Sequence, residues 1–289
     1  MRDFIITTDT TCDLPESYIK ENNLDIHPLF YHFNDSIIYG KDDNLEPAVF
    51  YQRMRDGEMP TTMASNPEDS KDLFEARIKE GYDIIHIAFS SGLSSTCQNA
   101  VIAANELMEE YPDAKITVID SLCASMGEGL LVYKAVEFKK AGHSYDETIE
   151  YINELVPHLA HKFTVDSLFH LHRGGRVSKA TAIIGTLVGI KPLLHVDDTG
   201  HLVSIGKSRG RKKSLTSLVD SMIQTMGNRI NDTIMISHGD ALEDAEYVAS
   251  LIKEKIAEVK NVIINYICPT IGAHAGPGTI ALFFEAEVR

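Results

Sequence analysis

The chain of 289 residues contains no tryptophan and four cysteines. No stretch reaches about 18 consecutive apolar residues, so no membrane-spanning helix is expected. Cys12, Cys97, Cys123 and Cys268 lie far apart and form no C-x-x-C pair. They are expected to be free thiols of a reducing cytoplasm, not a disulfide framework or a zinc site. Positive charge is scarce: 27 Lys and Arg stand against 42 Asp and Glu, a formal net charge of −15. Nucleic acid and anionic membrane both need a basic surface, so both are excluded as bulk partners. The start, "MRDFIITTD", places an acid before a short apolar run and reads as a first strand, not a secretory leader, which implies a cytoplasmic location. Repeats, low-complexity tracts and long linkers are absent from the sequence.

What is present is an ordinary globular composition, 44% hydrophobic and 24% charged. The length implies two domains. In the first half, apolar β-branched runs such as "DFIITTD", "YDIIHIAF" and "KITVID" alternate with helical segments. Asp13 reads as the cap of the first helix, "NPEDSKDLFEARIKEG" carries clear start and stop signals, and "SYDETIEYINELVPHLAHK" reads as one helix broken near Pro157. This alternation implies crossover units and a parallel sheet. In the second half, "IKPLLHVDDTGHLVSIGKSRG" reads as a hairpin around "DDTG". A helix from Arg211, the strand "TIMISHGD", a helix over about 242–259, and the strands "NVIINYIC" and "TIALFFEAEV" follow. The fold class is therefore α/β, with an N-terminal parallel-sheet α/β domain over 1–160 and a C-terminal mixed α+β domain over 161–289.

Six stretches carry candidate chemistry. "FSSGLSSTCQNA" lies where a parallel strand ends and a helix begins, which is where open α/β sheets bind ligands and where helix N-termini attract anions. Ser95 with Gln98 fits a capping box, which leaves Ser94 facing an anionic group. A nucleophile elbow, G-x-S-x-G, is not formed. "PTTMASNP" reads as a polar loop that brings Thr61 or Thr62 to a site, and "LHRGGRVSK" offers an arginine fork or simply charged residues at a helix end. His170 and His172 do not share a helix face, so no metal pair is expected there. "IGAHAGPG" reads as a glycine-rich loop around His274, a candidate ligand donor or acid/base group, without a nucleotide-binding pattern. "TAIIGTLVGIKPLL" is apolar nearly all round and suits a buried helix or a pocket wall. "SRGRKKS" is a lone basic cluster, read as a solvated helix start or as a docking patch for an acidic partner.

Taken together, "DTTCDLP", "SSGLSSTCQNA", "DSLCASMGEGLLV", "HLHRGGRVS", "IKPLLHVDDTG" and "IGAHAGPGTIALFF" resemble the DegV family, in family order from residue 9 to residue 284. The resemblance implies a DegV-like pair of domains with an acyl chain buried between or beneath them. It implies a carboxylate held by the hydroxyls of Thr62 and Ser94, with His274 and Arg173 near the head group and Ser95 and Gly276 completing the set. It implies a non-catalytic fatty acid carrier, without cofactor or metal, whose partner is the catalytic subunit of a fatty acid kinase that makes the acyl phosphate for phospholipid synthesis. One departure is visible. The family's run after the threonine contains serine, whereas Thr62 is followed here by Met63-Ala64-Ser65, one hydroxyl fewer. The residues alone also admit a different reading: an enzyme acting on a small carboxylated or phosphorylated metabolite, with His274 as acid/base.

Overall fold

The computed structural model describes residues 2–34, 37–40, 43–179 and 189–289. The first sheet is four-stranded and wholly parallel, built from β1 (Asp3–Asp9), β2 (Asp25–His27), β5 (Tyr82–Ala88) and β6 (Ile116–Asp120) in the order β2-β1-β5-β6. A two-stranded antiparallel ribbon, β3 (Phe30–His32) with β4 (Thr61–Met63), stands beside it. The second sheet is mixed. Its six strands are β7 (Leu159–Thr164), β8 (Ile190–Val196), β9 (Leu202–Arg209), β10 (Thr233–His238), β11 (Asn261–Tyr266) and β12 (Ile280–Glu285), ordered β11-β10-β12-β7-β8-β9. Only β10 and β11 run parallel within it.

Helices fill the spaces these sheets leave. On one face of the parallel sheet, α3 (Pro67–Lys79) and α4 (Thr96–Glu110) bury Phe74, Ala100 and Leu107 against Ile84 and Ile116. Between the sheets lies α5 (Met126–Lys140), with α6 (Tyr145–Leu155) beside it. One continuous cluster joins Ile6, Ile85 and Ile87 of the first sheet through Leu130, Leu131 and Val132 of α5 to Phe163, Met235 and Phe283 of the second. A helix buried on all sides needs apolar residues on all sides, and "GLLV" in its first half supplies them. The far face of the second sheet is covered by α8 (Arg211–Met226) and α9 (Leu242–Lys255), which pack Leu218, Val219 and Val248 on Ile234, Ile236 and Leu282. Short helices α1 (Glu16–Glu21), α2 (Pro47–Arg55), α7 (Phe169–Arg173) and α10 (Pro269–Ala275) complete the described elements. We propose that the two sheets mark the two expected domains; residue 160 is the second residue of β7.

The structure corrects several local expectations. Asp13 does not cap the first helix, whose cap position is Pro15. It sits in the left-handed region at φ 53°, and its buried carboxylate accepts from the Cys268 amide at 2.9 Å and from the Ser125 hydroxyl. The helix expected through "LVPHLAHK" ends at Leu155, because Pro157 stops it, and "LAHKFT" is strand β7, buried along its whole length between neighbouring strands and helices on both faces. "PTTMASNP" is not a free loop, since Thr61–Met63 pairs as β4. The glycine-rich loop around His274 is helix α10, begun by Pro269 in its first turn. The helix after Leu242 stops at Lys255 rather than near Val259. The apolar segment from Thr181 falls on 181–188, outside the described residues, up to Gly189, where strand β8 begins immediately after.

Leu131 is fully buried where the two sheets face each other across α5. Leu131→Ala is expected to cost about 2–5 kcal/mol. In urea this lowers the unfolding midpoint while leaving the denaturant slope unchanged.

A candidate binding cavity at the junction of the sheets

A cavity of about 290 Å³ opens at the carboxyl end of the parallel sheet. This volume is at the lower end for a small-molecule site. Its wall comes from many elements. The β5–α4 loop gives Phe89, Leu93, Ser94 and Ser95, β4 gives Thr62 and Met63, and the approach to α5 gives Ala124 and Ser125. The second sheet and its helices contribute His161, Phe163, Val196, Leu202, Ala281 and Phe283, while α10 gives Ile271 and His274. Phe163, Leu171, Val196 and Phe283 are among its apolar lining; Thr62, Ser94, Ser95, His161, Arg176 and His274 are among its polar lining.

Polar side chains of the lining are held in place by one another. The Thr62 hydroxyl and His274 Nε2 lie 2.8 Å apart. A Cβ on Gly174 would overlap the His274 ring at Nδ1, so only glycine leaves room there for the imidazole. Burial is the main cause that lowers the His274 pKa to about 4, and the guanidiniums of Arg176 and then Arg173 push the same way. At neutral pH its imidazole is therefore uncharged. Arg176 lines the cavity and holds the serine loop, its Nε and Nη2 donating to the Leu93 carbonyl at 3.2 and 2.9 Å. Among the described lining residues it is the one cation.

The serine loop is arranged differently from the sequence expectation. Ser94, not Ser95, serves the helix start: its Oγ accepts from the Thr96 amide at 3.3 Å and shares a hydrogen bond with the Thr96 hydroxyl at 2.8 Å. Ser95 makes no side-chain cap and is exposed at the cavity mouth. The loop itself is seated on the β8–β9 hairpin. Ser90 Oγ donates to the Gly200 carbonyl at 3.0 Å, and Gly200 adopts φ 78°, where a side chain would collide with that serine.

Of the six residues expected in the site, Thr62, Ser94, Ser95 and His274 line one cavity. Arg173 and Gly276 do not line it. Arg173 Nη2 donates to the carbonyls of Pro60 at 2.8 Å and Ala273 at 3.0 Å, and so fixes the chain leading to Thr62 against the helix carrying His274. Gly276 ends α10 at φ 83°, packed on the His170 ring, and its carbonyl accepts from Thr279 at 2.9 Å. Sequence reasoning missed Arg176, Ser125 and His161. Arg176 and Ser125 lie inside quoted motifs, whereas His161 was hidden in a segment read as helix. His161 Nε2 accepts from the Ala124 amide at 3.3 Å, and burial keeps the ring uncharged. Ser125 sits at φ 56° between Asp13 and Ser237, and burial raises the Asp13 carboxyl to about 7. Among the described residues, the one grouping of three His, Cys, Asp or Glu close enough to share an ion lies outside this cavity, at Asp9, His27 and His86.

A family model described as an uncharacterised protein of the DegV family matches residues 3–287. The chain belongs to the DegV family. A DegV domain-containing protein of Clostridium perfringens is 43% identical over 290 residues, covering 100% of this chain and 99% of that protein. Two solved DegV-like structures superpose closely. One, from Thermus thermophilus, is described as fatty acid binding of a DegV family protein; it is 27% identical with a TM-score of 0.89, covering 99% of this chain and 100% of that one. The other, from Thermotoga maritima, is described as a hypothetical protein that reveals a fatty acid binding function, at 27% identity and a TM-score of 0.84 over 99% and 100% of the two chains. Among the described residues of this DegV protein, no helix is long and apolar enough to cross a membrane.

His274 titrates from an ordinary value near 6.5 when unfolded to about 4 when folded. The unfolded chain thus takes up a proton in this window and the folded chain does not, so this residue lowers stability as pH falls from about 6.5 to 4. His274→Gln removes that loss. The expected result is a stability difference, variant minus parent, that grows in the variant's favour across this window in urea titrations. An NMR titration of the parent is expected to place the imidazole midpoint near 4.

Proposed function

We propose that this protein binds a long-chain fatty acid in the cavity, with the carboxylate near Thr62, Ser94 and His274 and the chain against the apolar lining. The observation that carries the reading is a mostly apolar lining that also holds uncharged hydrogen-bonding groups and, among the described residues, a single guanidinium. Burying about 15 methylenes at ~0.8 kcal/mol each contributes roughly 12 kcal/mol before ordering costs. Affinity then comes mainly from the apolar wall. The polar groups orient the head group and spare the carboxylate an unpaired burial. Membership of the DegV family supports this, as do the fatty-acid-binding functions described for the Thermus and Thermotoga structures.

In the same reading the protein is a carrier without catalytic chemistry of its own, and a separate kinase subunit phosphorylates the presented carboxylate. Support comes from the cavity mouth, where Ser95 is exposed and Met63 keeps 36% of its surface open beside the head-group residues. Uncharged donors beside one guanidinium suit a site that must hold a carboxylate and then release an acyl phosphate, since most of its contacts carry no full charge matched to one anion alone. The competing enzyme reading asks His274 to act as a base near neutral pH. A pKa of about 4 makes it a poor one, because general bases work best near the operating pH. The basic cluster remains the candidate kinase-facing patch. Arg211 is already bound to Asp244 and the Gly278 carbonyl, while Lys207, Arg209, Lys212 and Lys213 are exposed.

The first test is native mass spectrometry of the protein purified from bacterial cells, with lipid analysis after denaturation. A co-purified fatty acid is the expected outcome. Delipidated protein that binds no acid of roughly 14 to 20 carbons at micromolar concentration overturns the reading. Thr62→Val removes a neutral donor to a charged group and is expected to weaken binding by roughly ten- to a hundredfold, about 1.5–3 kcal/mol. Arg209→Glu with Lys213→Glu is expected to impair kinase-coupled turnover of the loaded protein while leaving lipid affinity unchanged; equal turnover would remove the patch from the kinase interface.

A further inference from the structure

Outside the cavity, the parallel sheet carries a buried group of side chains that the lipid reading does not use. Register places it on one face. Asp9 of β1 stands opposite His27 of β2, and Thr7 of β1 stands opposite His86 of β5. Because residues two apart on a strand share a face, Thr7, Asp9, His27 and His86 converge on the side covered by α3. All are essentially buried: Asp9 and His86 at 0% exposure, His27 and Thr7 at 1%. The ligand atoms of Asp9, His27 and His86 lie within 4.8 Å of one another.

These atoms lack the partners that burial demands. Asp9 Oδ1, His86 Nε2 and both ring nitrogens of His27 have no hydrogen-bond partner among the described residues. Buried polar atoms are ordinarily paired, so four orphans in one group, one from each residue within reach of the others, require an explanation. The separation of His86 Nε2 from Asp9 Oδ1 is 3.6 Å, too long for a hydrogen bond and close to the spacing of two ligands on one small cation. The remaining atoms are already oriented. Thr7 Oγ1 lies 2.9 Å from His86 Nδ1, so a proton on Nδ1 leaves the Nε2 lone pair turned to Asp9. Asp9 Oδ2 accepts from the Phe89 amide at 2.8 Å, leaving Oδ1 free. The Phe74 ring, 4.7 Å from His27 and 5.3 Å from His86, shields the group from water.

We propose that Asp9, His27 and His86 form a structural site for a divalent first-row transition ion. Two imidazoles and one carboxylate suit zinc or iron(II) over calcium or magnesium, which take oxygen ligands in larger number. The ion would join β1, β2 and β5 at their carboxyl ends. Through Asp9 and the Phe89 amide it would also brace the first residue of the serine loop. It would act on the lipid cavity only indirectly, by stiffening that loop, and it stands independently of what the cavity binds.

The test uses the full chain, stripped with a strong chelator and titrated with zinc against a chromophoric competitor. The expected result is about one zinc per chain with sub-micromolar affinity and a higher Tm on metal addition. Cobalt(II) in its place is expected to show visible d–d bands of nitrogen and oxygen coordination. Asp9→Asn keeps the acceptor for Phe89 and removes the anionic ligand; His86→Gln removes an imidazole. Each is expected to lower zinc affinity at least tenfold and to abolish the Tm rise. Parent protein that binds no zinc at micromolar concentration and shows no Tm rise overturns the proposal, whatever the variants do. So does zinc binding that is equal in the parent and in either folded variant, because the ion then sits elsewhere.

Discussion

The structure depends on one buried carboxylate. Glu128 lies in the first turn of the helix shared by both sheets, and it is completely enclosed. It accepts hydrogen bonds from the Thr8 and Thr11 hydroxyls at 2.8 and 2.9 Å and from the Asp9 amide at 3.3 Å. Burial, with the nearby Asp9 charge, raises its carboxyl well above the usual carboxylate range, and the three donors pull it back. This knot ties the end of β1 to the helix on which both halves pack. It also explains why "DTTCDLP" and "DSLCASMGEGLLV" stand out together: each supplies one side of the same contact. Everything at the cavity is referenced to that fixed point, since β1 ends beside it and α5 begins beside it.

From there outward, the cavity is built from hydrogen bonds that position groups without charging them. Thr62 and His274 hold each other, Arg176 holds the serine loop, and Arg173 clamps the two segments that carry Thr62 and His274. Burial, with two guanidiniums adding to it, keeps the His274 imidazole uncharged. The site therefore presents donors of fixed geometry and limited charge next to an apolar wall, a combination suited to an amphipathic guest whose tail supplies the affinity.

Much of this was legible in the sequence. Continuous apolar runs marked the parallel strands, and the start signals of "NPEDSKDLFEARIKEG" marked a helix that the structure repeats, there with an Asn66–Asp69 capping box. Four of the six expected site residues meet in one cavity. The exceptions share a cause, which is backbone geometry that residue type does not encode. Ser95 has the right chemistry for a cap, yet its backbone lies at φ −77°, ψ −1°, not in the extended region a cap requires, so Ser94 takes that part. Arg173 and Arg176 are equivalent on paper; the turn through two glycines decides which one faces the cavity. "GAHAGPG" looks like a loop by composition, but Pro269 starts a helix and burial against α2 sustains it. The grouping of Asp9, His27 and His86 exists only through strand register, which local pattern cannot supply.

The seating of the serine loop on the β8–β9 hairpin bears on how such a chain can diversify. Hairpin tips are ordinarily where lineages gain and lose residues and where engineers insert tags. Here the tip is a plug: Gly200 meets Ser90, and Thr199 lies so close to Gly92 that a Cβ there would come within 2.7 Å of its carbonyl. Length variation at "DDTG" would unseat a loop that belongs to the other sheet. Freedom to vary is found instead at turns such as the one at Gly142, which has open space around it. The permissive sites for grafting a reporter are therefore on the rim of helices, and the shortest, most exposed-looking turn of the second sheet is the one to leave alone.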